Sequence, residues 1–278
     1  MTAIPDAPAP LQPTRGALVI GASSGIGAAV ARYLAREGYQ VALVARRERL
    51  LEDLKIRIEA ETGRPCARIY PHDVTAYADV PVLFQKVLRD LGRLEVVVYA
   101  AGIMPPVELH EYDFAKDRAT VEVNVLGAMA WLNQAAILFE RQRGGQIVGI
   151  SSVAGERGRV GNPAYNSSKA ALNTYLEALR NRLTRHGVHV LTVKPGFVDT
   201  DMLKNAPRTF WVVSPDRVAE DIGWALRRRK QEIFTPARWR WTSESRDDIP
   251  SCCGGSPATW TASCWGPEGG FTLPRTAH

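Results

Sequence analysis

Cysteine is scarce in this chain, which has four in 278 residues. Cys66 stands alone in the main body, and the other three, Cys252, Cys253 and Cys264, crowd the last part of the chain. A disulfide framework or a zinc site needs cysteines at regular spacings, and no such spacing is visible. We therefore expect neither a disulfide-stapled scaffold nor a metal centre.

The two ends of the chain lack the residues that build a core. Residues 1–14 are rich in Pro and Ala, without a basic start followed by a long apolar run, and predict a disordered leader. Residues 242–278 contain no Val or Met and only one Leu and one Ile. Such a segment cannot bury enough apolar area to offset its ordering entropy, so we expect a disordered tail.

Charge and hydropathy give little support for a nucleic-acid or membrane partner. The formal net charge is +6, but the basic residues are scattered apart from one short run at residues 227–230. That run follows a helical pattern of apolar residues, which favours a solvated helix end, and no nucleic-acid-binding module is present. Nothing approaches a membrane span, and we expect a soluble cytoplasmic protein.

Short apolar runs alternate with helical patterns between residues 15 and 241. The strand-like runs are residues 17–20, 40–44, 67–70, 94–99, 145–150, 188–193 and 232–235. This alternation is typical of a parallel sheet whose crossover helices cover both faces. With 45% hydrophobic residues, the chain can bury one sizeable core. We predict a single α/β domain at residues 15–241, a doubly wound, Rossmann-like parallel sheet of about seven strands.

The first apolar run ends in a glycine-rich turn at residues 21–27, which reads Gly-Ala-Ser-Ser-Gly-Ile-Gly. A helical pattern follows, so strand, turn and helix come in the order of a phosphate-binding loop. Glycines let the backbone approach a pyrophosphate closely, and the amino end of the helix offers unpaired N–H groups. A tight turn with no ligand has the same spacing, so the turn alone leaves both interpretations open.

Two arginines, Arg46 and Arg47, follow the second strand, where a NAD-binding site usually carries an acid for the ribose 2′-hydroxyl. Guanidinium groups instead suit a 2′-phosphate, because they present a planar charged fork. The alternative is that both arginines only solvate the start of the next helix. The pair favours NADP(H) as cofactor, with NAD(H) also possible.

Polar residues gather where the later strands end, at the edge where open parallel sheets bind ligands. Asp73 is either a cofactor contact or a turn residue that opens a helix. Asn124, among apolar neighbours, is either held in a structural hydrogen-bond network or placed to hold a water. Spacing alone does not separate these alternatives. Ala101 and Gly102 mark another point of close approach.

Tyr165 and Lys169 are four residues apart in a predicted helix, so both side chains leave the same face. A phenol with a pKa near ~10 is a weak acid or base at neutral pH, and a nearby cation favours its ionised form. The fifth strand delivers Ser151 and Ser152 to the same edge of the sheet. Such a pair also occurs by chance on solvated helices, so it indicates a catalytic site only together with the other motifs.

Together these motifs resemble the short-chain dehydrogenase/reductase family, over residues 17–241. The glycine turn is similar to the family's cofactor loop, Asp73 and Val74 to its adenine contact, and the segment after the sixth strand to its nicotinamide loop. The resemblance implies that the cofactor is bound by Gly21, Ser23, Ser24, Gly25, Ile26, Gly27, Arg46, Asp73, Val74, Ala101, Gly102, Tyr165, Lys169, Pro195, Gly196, Val198 and Thr200.

The resemblance also implies a catalytic tetrad of Asn124, Ser152, Tyr165 and Lys169. Ser152 is preferred to Ser151 because it precedes Tyr165 by 13 residues, the family's usual separation. Tyr165 would be the general acid for carbonyl reduction or the base for alcohol oxidation, and Lys169 would lower its pKa and hold the nicotinamide ribose. Ser152 and Tyr165 would bind the substrate oxygen. Asn124 would position a water on the proton path.

The sequence departs from the family pattern in the scaffold of the cofactor site. Ile20 replaces the Thr or Ser usually found before the first glycine, and residues 99–102 read Tyr-Ala-Ala-Gly in place of Asn-Asn-Ala-Gly. Both changes remove hydrogen-bonding groups. A basic residue often found inside the turn of NADP users is also missing, so the cofactor preference depends largely on Arg46.

The family implies an NADP-dependent oxidoreductase that transfers a hydride between nicotinamide and a carbonyl or secondary alcohol. Its substrate contacts come mainly from the loop at residues 201–211. There Met202, Leu203, Phe210 and Trp211 suggest an apolar small molecule, or serve only as a lid over the cofactor.

Two further expectations concern assembly and an alternative function. The long helices that hold Asn124 and Tyr165 are expected to form a homodimer or homotetramer. The alternative function is a catalytically silent regulator that binds a nicotinamide nucleotide on the same fold. Such proteins usually show a broken Tyr-x3-Lys motif, whereas the motif is intact here.

Overall fold

The computed structural model describes residues 15–205 and 209–240. The predicted leader at residues 1–14 and the predicted tail at residues 242–278 lie outside the described residues. So do residues 206–208 of the loop at 201–211.

Within the described part of the chain, seven strands form one parallel sheet in the order β3-β2-β1-β4-β5-β6-β7. They are β1 Gly16–Ile20, β2 Gln40–Ala45, β3 Ala67–Pro71, β4 Val96–Tyr99, β5 Gly145–Ile150, β6 Val188–Pro195 and β7 Glu232–Thr235. The strand order reverses between β1 and β4, which places the ligand-binding crevice at the carboxyl ends of these strands. The prediction of a doubly wound, Rossmann-like parallel sheet is confirmed.

Helices cover both faces of the sheet. The α-helices in the described residues are α1 Gly25–Arg36, α2 Glu48–Thr62, α3 Val80–Leu91, α4 Phe114–Val121, α5 Gly127–Gln142, α6 Pro163–Leu183 and α7 Pro215–Arg227. One face buries α1, α2 and α7 through side chains such as Val30 and Ile222, and the other buries α3, α5 and α6 through Phe84 and Trp131. The central strands are apolar because both of their faces are covered.

The stretch from residue 114 to residue 142 forms one continuous helix with a wide turn in the middle. A π-helical segment, Glu122–Leu126, joins α4 directly to α5. The sequence predicts two helical stretches here, and the structure links them through the π-helical segment that carries Asn124. Such π-bulges frequently lie at functional sites, because the extra residue redirects the side chains around it.

The same stretch is long and apolar enough, by length and composition alone, to cross a membrane, although the sequence predicts no membrane span. Its apolar side chains Trp131, Leu132, Ala135 and Phe139 are buried in the core against the sheet. Packing of this face against the sheet accounts for the apolar composition of the helix.

Candidate active site

The glycine turn between β1 and α1 requires glycine because other backbone segments touch it. Gly21 has φ +87°, and a Cβ there would lie 2.6 Å from the Cα of Ala101. A Cβ on Gly27 would overlap the carbonyl oxygen of Gly21, and one on Gly25, at φ +54°, would lie 3.0 Å from Cγ2 of Thr200. The turn, the segment after β4 and the segment after β6 therefore meet at the carboxyl edge of the sheet.

The amino end of α1 is open towards this meeting point. Its N-cap residue is Ser24, whose side chain makes no capping hydrogen bond to the helix. The first N–H groups of α1 are therefore available to a ligand, and they carry the positive end of the helix dipole. Ile26 packs against the core and fixes the helix below the turn. This open end of the helix fits a pyrophosphate.

The two arginines after β2 contact different partners. Arg47 Nη2 donates to Ser24 Oγ at 2.7 Å and to Ser23 Oγ at 2.9 Å. Arg46 instead lies with Nη1 3.7 Å from Asp73 Oδ2, and its side chain is largely exposed. The structure thus brings Arg47, and not the predicted contact Arg46, to the glycine turn. Because arginines replace the usual acid after β2, the sequence predicts a positively charged contact to the cofactor there. It does not show which of the two neighbouring arginines faces the turn.

Asp73 forms the turn that follows β3. Its Oδ1 accepts hydrogen bonds from Thr75 N at 3.0 Å and Thr75 Oγ1 at 2.8 Å. Burial raises the pKa of the Asp73 carboxyl, but these hydrogen bonds and the Arg46 charge outweigh it and hold the pKa below its usual range. Asp73 therefore acts as the turn residue that the sequence allowed. Its neighbour Val74 is buried in the core.

Ser152, Tyr165 and Lys169 converge beyond the end of β5. Asn162 caps α6 by accepting a hydrogen bond from Tyr165 N at 3.2 Å, which fixes where the first turn of that helix begins. Ser152 and the Tyr165 phenol share a hydrogen bond. Lys169 donates from Nζ to the carbonyl of Ile150 at 2.9 Å. Its Nζ lies 5.7 Å from the centroid of the Tyr165 ring.

Burial dominates the electrostatics of the pair on α6. It raises the pKa of Tyr165, while the hydrogen bond with Ser152 and the charge of Arg159 lower it. It also lowers the pKa of Lys169 to about 8. In the described structure, Ser152 and Arg159 lower the pKa of Tyr165, whereas the resemblance implies that Lys169 does so. The part played by Arg159 has no counterpart in the sequence patterns.

Asn124 is fully buried and is held in a hydrogen-bond network. Its Oδ1 accepts from Ile103 N at 2.8 Å, and its Nδ2 donates to Ile103 O and to Ser168 Oγ, both at 3.0 Å. A Cβ on Gly102 would lie 3.4 Å from Asn124 Oδ1 and 3.5 Å from Lys169 Nζ. Gly102 therefore lets Asn124 and Lys169 approach the same point in the site.

Tyr99, the last residue of β4, holds the segment that carries Asn124. It replaces the family's first asparagine, and its buried hydroxyl donates to the carbonyl of Val123 at 2.5 Å. Val123 precedes Asn124 in the π-helical segment. Tyr99 thus joins the end of β4 to the π-helical segment that carries Asn124.

The segment after β6 closes the site on its other side. The carbonyl of Pro195 accepts a hydrogen bond from Ser152 Oγ at 3.4 Å. The Trp239 ring covers the backbone of Gly196, because a Cβ on this glycine would overlap the ring. Val198 is buried and pairs with Val213. The predicted nicotinamide loop therefore lies next to Ser152.

Four aromatic rings of this region pack on one another. Phe197, Phe210, Trp211 and Trp239 have ring centroids 5.1–5.8 Å apart in the contacting pairs. Two of the apolar residues that suggested an apolar substrate thus contact other aromatics of the chain. Leu203 lines a cleft of about 820 Å³ with Ser23, Ser24 and Thr200, beside the glycine turn and away from Tyr165.

Known proteins share this sequence pattern and this fold. The model of the short chain dehydrogenase family matches residues 15–210. An uncharacterised oxidoreductase of Myxococcus xanthus is 34% identical over 224 residues, which are 80% of this chain and 87% of that protein. Another, from Mycobacterium tuberculosis, is 29% identical over 225 residues, 81% and 88% of the two chains.

Solved structures give the same result. A short-chain type dehydrogenase/reductase from Mycobacterium ulcerans has a TM-score of 0.71 and 28% identity, with 79% of this chain and 87% of that chain covered. An alcohol dehydrogenase from the archaeon Thermococcus sibiricus, complexed with 5-hydroxy-NADP, has a TM-score of 0.72 and 28% identity, with 80% and 95% covered. An actinorhodin polyketide ketoreductase with NADPH has a TM-score of 0.69 and 28% identity, with 76% and 89% covered.

Proposed function

The chain belongs to the short-chain dehydrogenase family, and on that premise we propose that it is an NADP-dependent oxidoreductase acting on a carbonyl or secondary alcohol. One observation carries the proposal: Ser152, Tyr165 and Lys169 converge at the sheet edge where the glycine turn, Gly102 and the segment after β6 also meet.

The protein would hold the cofactor through the open end of α1 and the arginine beside it. The glycine turn admits a pyrophosphate, and Arg47, which already contacts Ser23 and Ser24, faces the position of a 2′-phosphate. The archaeal relative with 5-hydroxy-NADP and the ketoreductase with NADPH support this choice over NAD(H). When bound, the cofactor supplies or accepts the hydride.

The side chains of the site would manage the proton and the developing charge. Tyr165 donates its phenolic proton to the carbonyl oxygen during reduction, or accepts one from the alcohol during oxidation. Ser152, hydrogen-bonded to Tyr165, holds the same oxygen where negative charge develops. Lys169 would contact the nicotinamide ribose, and Asn124 would keep the helix and the segment after β4 in register around it.

We further propose that copies of the chain associate through the long helices. Leu126 and Ile137 lie on the helix of residues 114–142 and are 43% and 47% exposed, although both are large and apolar. Sedimentation velocity would test this, and a purely monomeric species at micromolar concentration would contradict it.

The enzymatic proposal is tested with a panel of ketones, oxo acids and secondary alcohols, followed by the nicotinamide absorbance with NADPH and NADH in parallel. We expect turnover of panel members with a preference for NADPH. Tyr165→Phe should reduce kcat by about 100- to 10,000-fold and leave NADPH affinity nearly unchanged, because only the acid-base group is lost. Tyr175→Phe on the same helix, where the hydroxyl contacts Asn133, is the control.

Two results would oppose the proposal. Full activity of Tyr165→Phe would remove the assigned role of the phenol. Tight NADPH binding with no turnover of any panel member would favour the alternative, a silent nucleotide-binding regulator.

A further inference from the structure

An arginine lies at a fixed place beside the reacting groups. Arg159 belongs to the loop of residues 151–162, which joins β5 to α6, and so lies between Ser152 and Tyr165 in the chain. The buried side chain of Asn166 holds this loop, since its Nδ2 donates to Arg159 O at 3.3 Å and to Gly161 O at 3.1 Å. The backbone from which the arginine extends is therefore anchored to the helix that carries Tyr165.

The guanidinium of Arg159 reaches back to the end of β5. Its Nη2 donates to the carbonyl of Val153, the residue after Ser152, at a long 3.5 Å. Partial burial lowers the pKa of Arg159, and its charge in turn lowers the pKa of Tyr165. The cation thus contacts the residue next to Ser152, and its charge acts on the Tyr165 phenol.

The one acidic residue of this loop, Glu156, pairs with a different cation. Glu156 Oε1 lies 2.8 Å from Lys194 Nζ and accepts a hydrogen bond from Asn173 Nδ2 at 3.3 Å. Among residues 15–205 and 209–240, no carboxylate comes within 4.0 Å of the Arg159 guanidinium. A guanidinium has five N–H donors, and Arg159 uses one of them in a long contact to a carbonyl. The residue is otherwise exposed, so its remaining donors are open to an anionic ligand.

These contacts identify a substrate class, on the condition that the proposed oxidoreductase function holds. We propose that Arg159 binds a carboxylate of the substrate, so that the enzyme acts on oxo acids or hydroxy acids whose carboxylate lies a few bonds from the reacting carbon. The planar fork of arginine matches a carboxylate with two parallel hydrogen bonds. The packing of Phe210 and Trp211 against Phe197 and Trp239 is consistent with this, because these rings are occupied with one another.

The test compares charged substrates with neutral ones of the same shape. kcat/KM is measured with saturating NADPH for 2-oxo and 3-oxo acids and for their methyl esters, in the wild type, Arg159→Gln, Arg159→Lys and Arg141→Gln. Arg141→Gln is the matched control. Arg141 is an exposed arginine in the last turn of α5, beside the start of β5, and so lies at the edge of the sheet opposite to the candidate active site. The ester carries the same carbonyl without the charge.

We expect Arg159→Gln to lower kcat/KM for the acids by about 10- to 100-fold and for the esters by less than about threefold. Arg159→Lys should recover part of the loss, since it keeps the charge but not the fork. Equal losses for acids and esters, with a shifted pH profile, would mean that Arg159 only tunes Tyr165, and would overturn the inference while the proposed function stands.

A binding measurement separates the two proposals where turnover is absent. Malonate is titrated by calorimetry into the protein saturated with NADPH, and Arg159→Gln should weaken its binding at least about 10-fold, while Arg141→Gln should not. Malonate affinity that is the same in the wild type and in Arg159→Gln overturns the carboxylate site. Arg159-dependent malonate binding without turnover of any carbonyl supports the site and counts against the oxidoreductase function.

Discussion

Arg47 donates a hydrogen bond to the hydroxyl of Ser24 at 2.7 Å and so links the end of β2 to the turn between β1 and α1. Its neighbour Arg46 turns the other way, to Asp73. Both arginines follow Ala45, the last residue of β2, and of the two it is Arg47 whose guanidinium contacts the turn. This contact is the reason for proposing that Arg47, and not Arg46, recognises the 2′-phosphate.

This assignment predicts the effect of removing each arginine. Arg47→Ala should raise KM for NADPH by about 10- to 100-fold, because a charge-assisted hydrogen bond contributes about 1.5–3 kcal/mol. KM for NADH should change by less than about threefold, since that cofactor lacks the 2′-phosphate. Steady-state kinetics with both cofactors measure the two effects.

The neighbouring arginines provide the controls for this prediction. Arg49→Ala, at an exposed position on α2, should leave both KM values unchanged, and Arg46→Ala should have less effect than Arg47→Ala. A larger loss of NADPH affinity in Arg46→Ala than in Arg47→Ala would reverse the assignment.

Much of the fold can be predicted from the sequence because the central strands are buried on both faces. Such strands must be nearly all apolar, so runs such as residues 17–20 and 188–193 are visible without knowledge of the tertiary structure. The glycine turn is equally legible, because the approach of Ala101 to Gly21 tolerates no side chain. The apolar runs and the glycine turn can both be recognised from the residue types at those positions, without knowledge of which distant residues they contact.

The remainder of the site depends on contacts between distant residues. Which of Arg46 and Arg47 contacts the glycine turn depends on the path of the chain after β2. The hydrogen bond from Tyr99 to Val123 depends on a π-helical segment that has no simple periodic signature in the sequence. The charge of Arg159 on Tyr165 requires the folded path of the loop held by Asn166. Periodicity and spacing carry no information on such contacts.

The depressed pKa of Lys169 predicts a pH dependence of stability in the protein without cofactor. Below pH 8 the lysine is charged in both the folded and the unfolded chain, and its burial destabilises the fold. Between about pH 8 and 10.5 the folded state loses the proton first, so the unfolded state binds more protons and the free energy of unfolding rises with pH. The rise relative to Lys169→Met should approach about 3 kcal/mol, since one pKa unit corresponds to about 1.4 kcal/mol.

Urea unfolding of the wild type and of Lys169→Met at pH 7, 8, 9 and 10 measures this difference. Other titrating groups are common to both proteins and cancel in the comparison. A difference that stays constant or falls across the range would show that Lys169 keeps its ordinary pKa in the fold.

The hydrogen bond from Tyr99 to Val123 predicts a loss of stability in Tyr99→Phe. The variant leaves a buried carbonyl of the π-helical segment without its partner, which costs about 1–3 kcal/mol. The free energy of unfolding in urea measures the cost. Tyr112→Phe is the control, because Tyr112 is 91% exposed and its change should stay within about 0.5 kcal/mol. An equal effect of the two substitutions would mean that the buried bond contributes nothing.

The contact between Gly196 and Trp239 predicts that two substitutions are coupled. The φ of Gly196 lies outside the left-handed region, so alanine there meets no backbone strain. The three atoms nearest to its methyl group would all belong to the Trp239 ring. That ring is 4% exposed and packed against three other aromatics, so it cannot move aside. Gly196→Ala should therefore destabilise the fold by about 1–3 kcal/mol or more and reduce kcat, since Pro195 next to it contacts Ser152.

A double-mutant cycle isolates this conflict. Trp239→Leu is destabilising by itself because it opens the aromatic cluster, but it also removes the atoms that an alanine at position 196 would strike. In that background Gly196→Ala should cost at least about 1 kcal/mol less than in the wild type, a coupling that residues in contact commonly show. Urea unfolding of the four proteins gives the coupling energy. Additive costs would mean that the ring does not fix the loop, and that the glycine is required there for another reason.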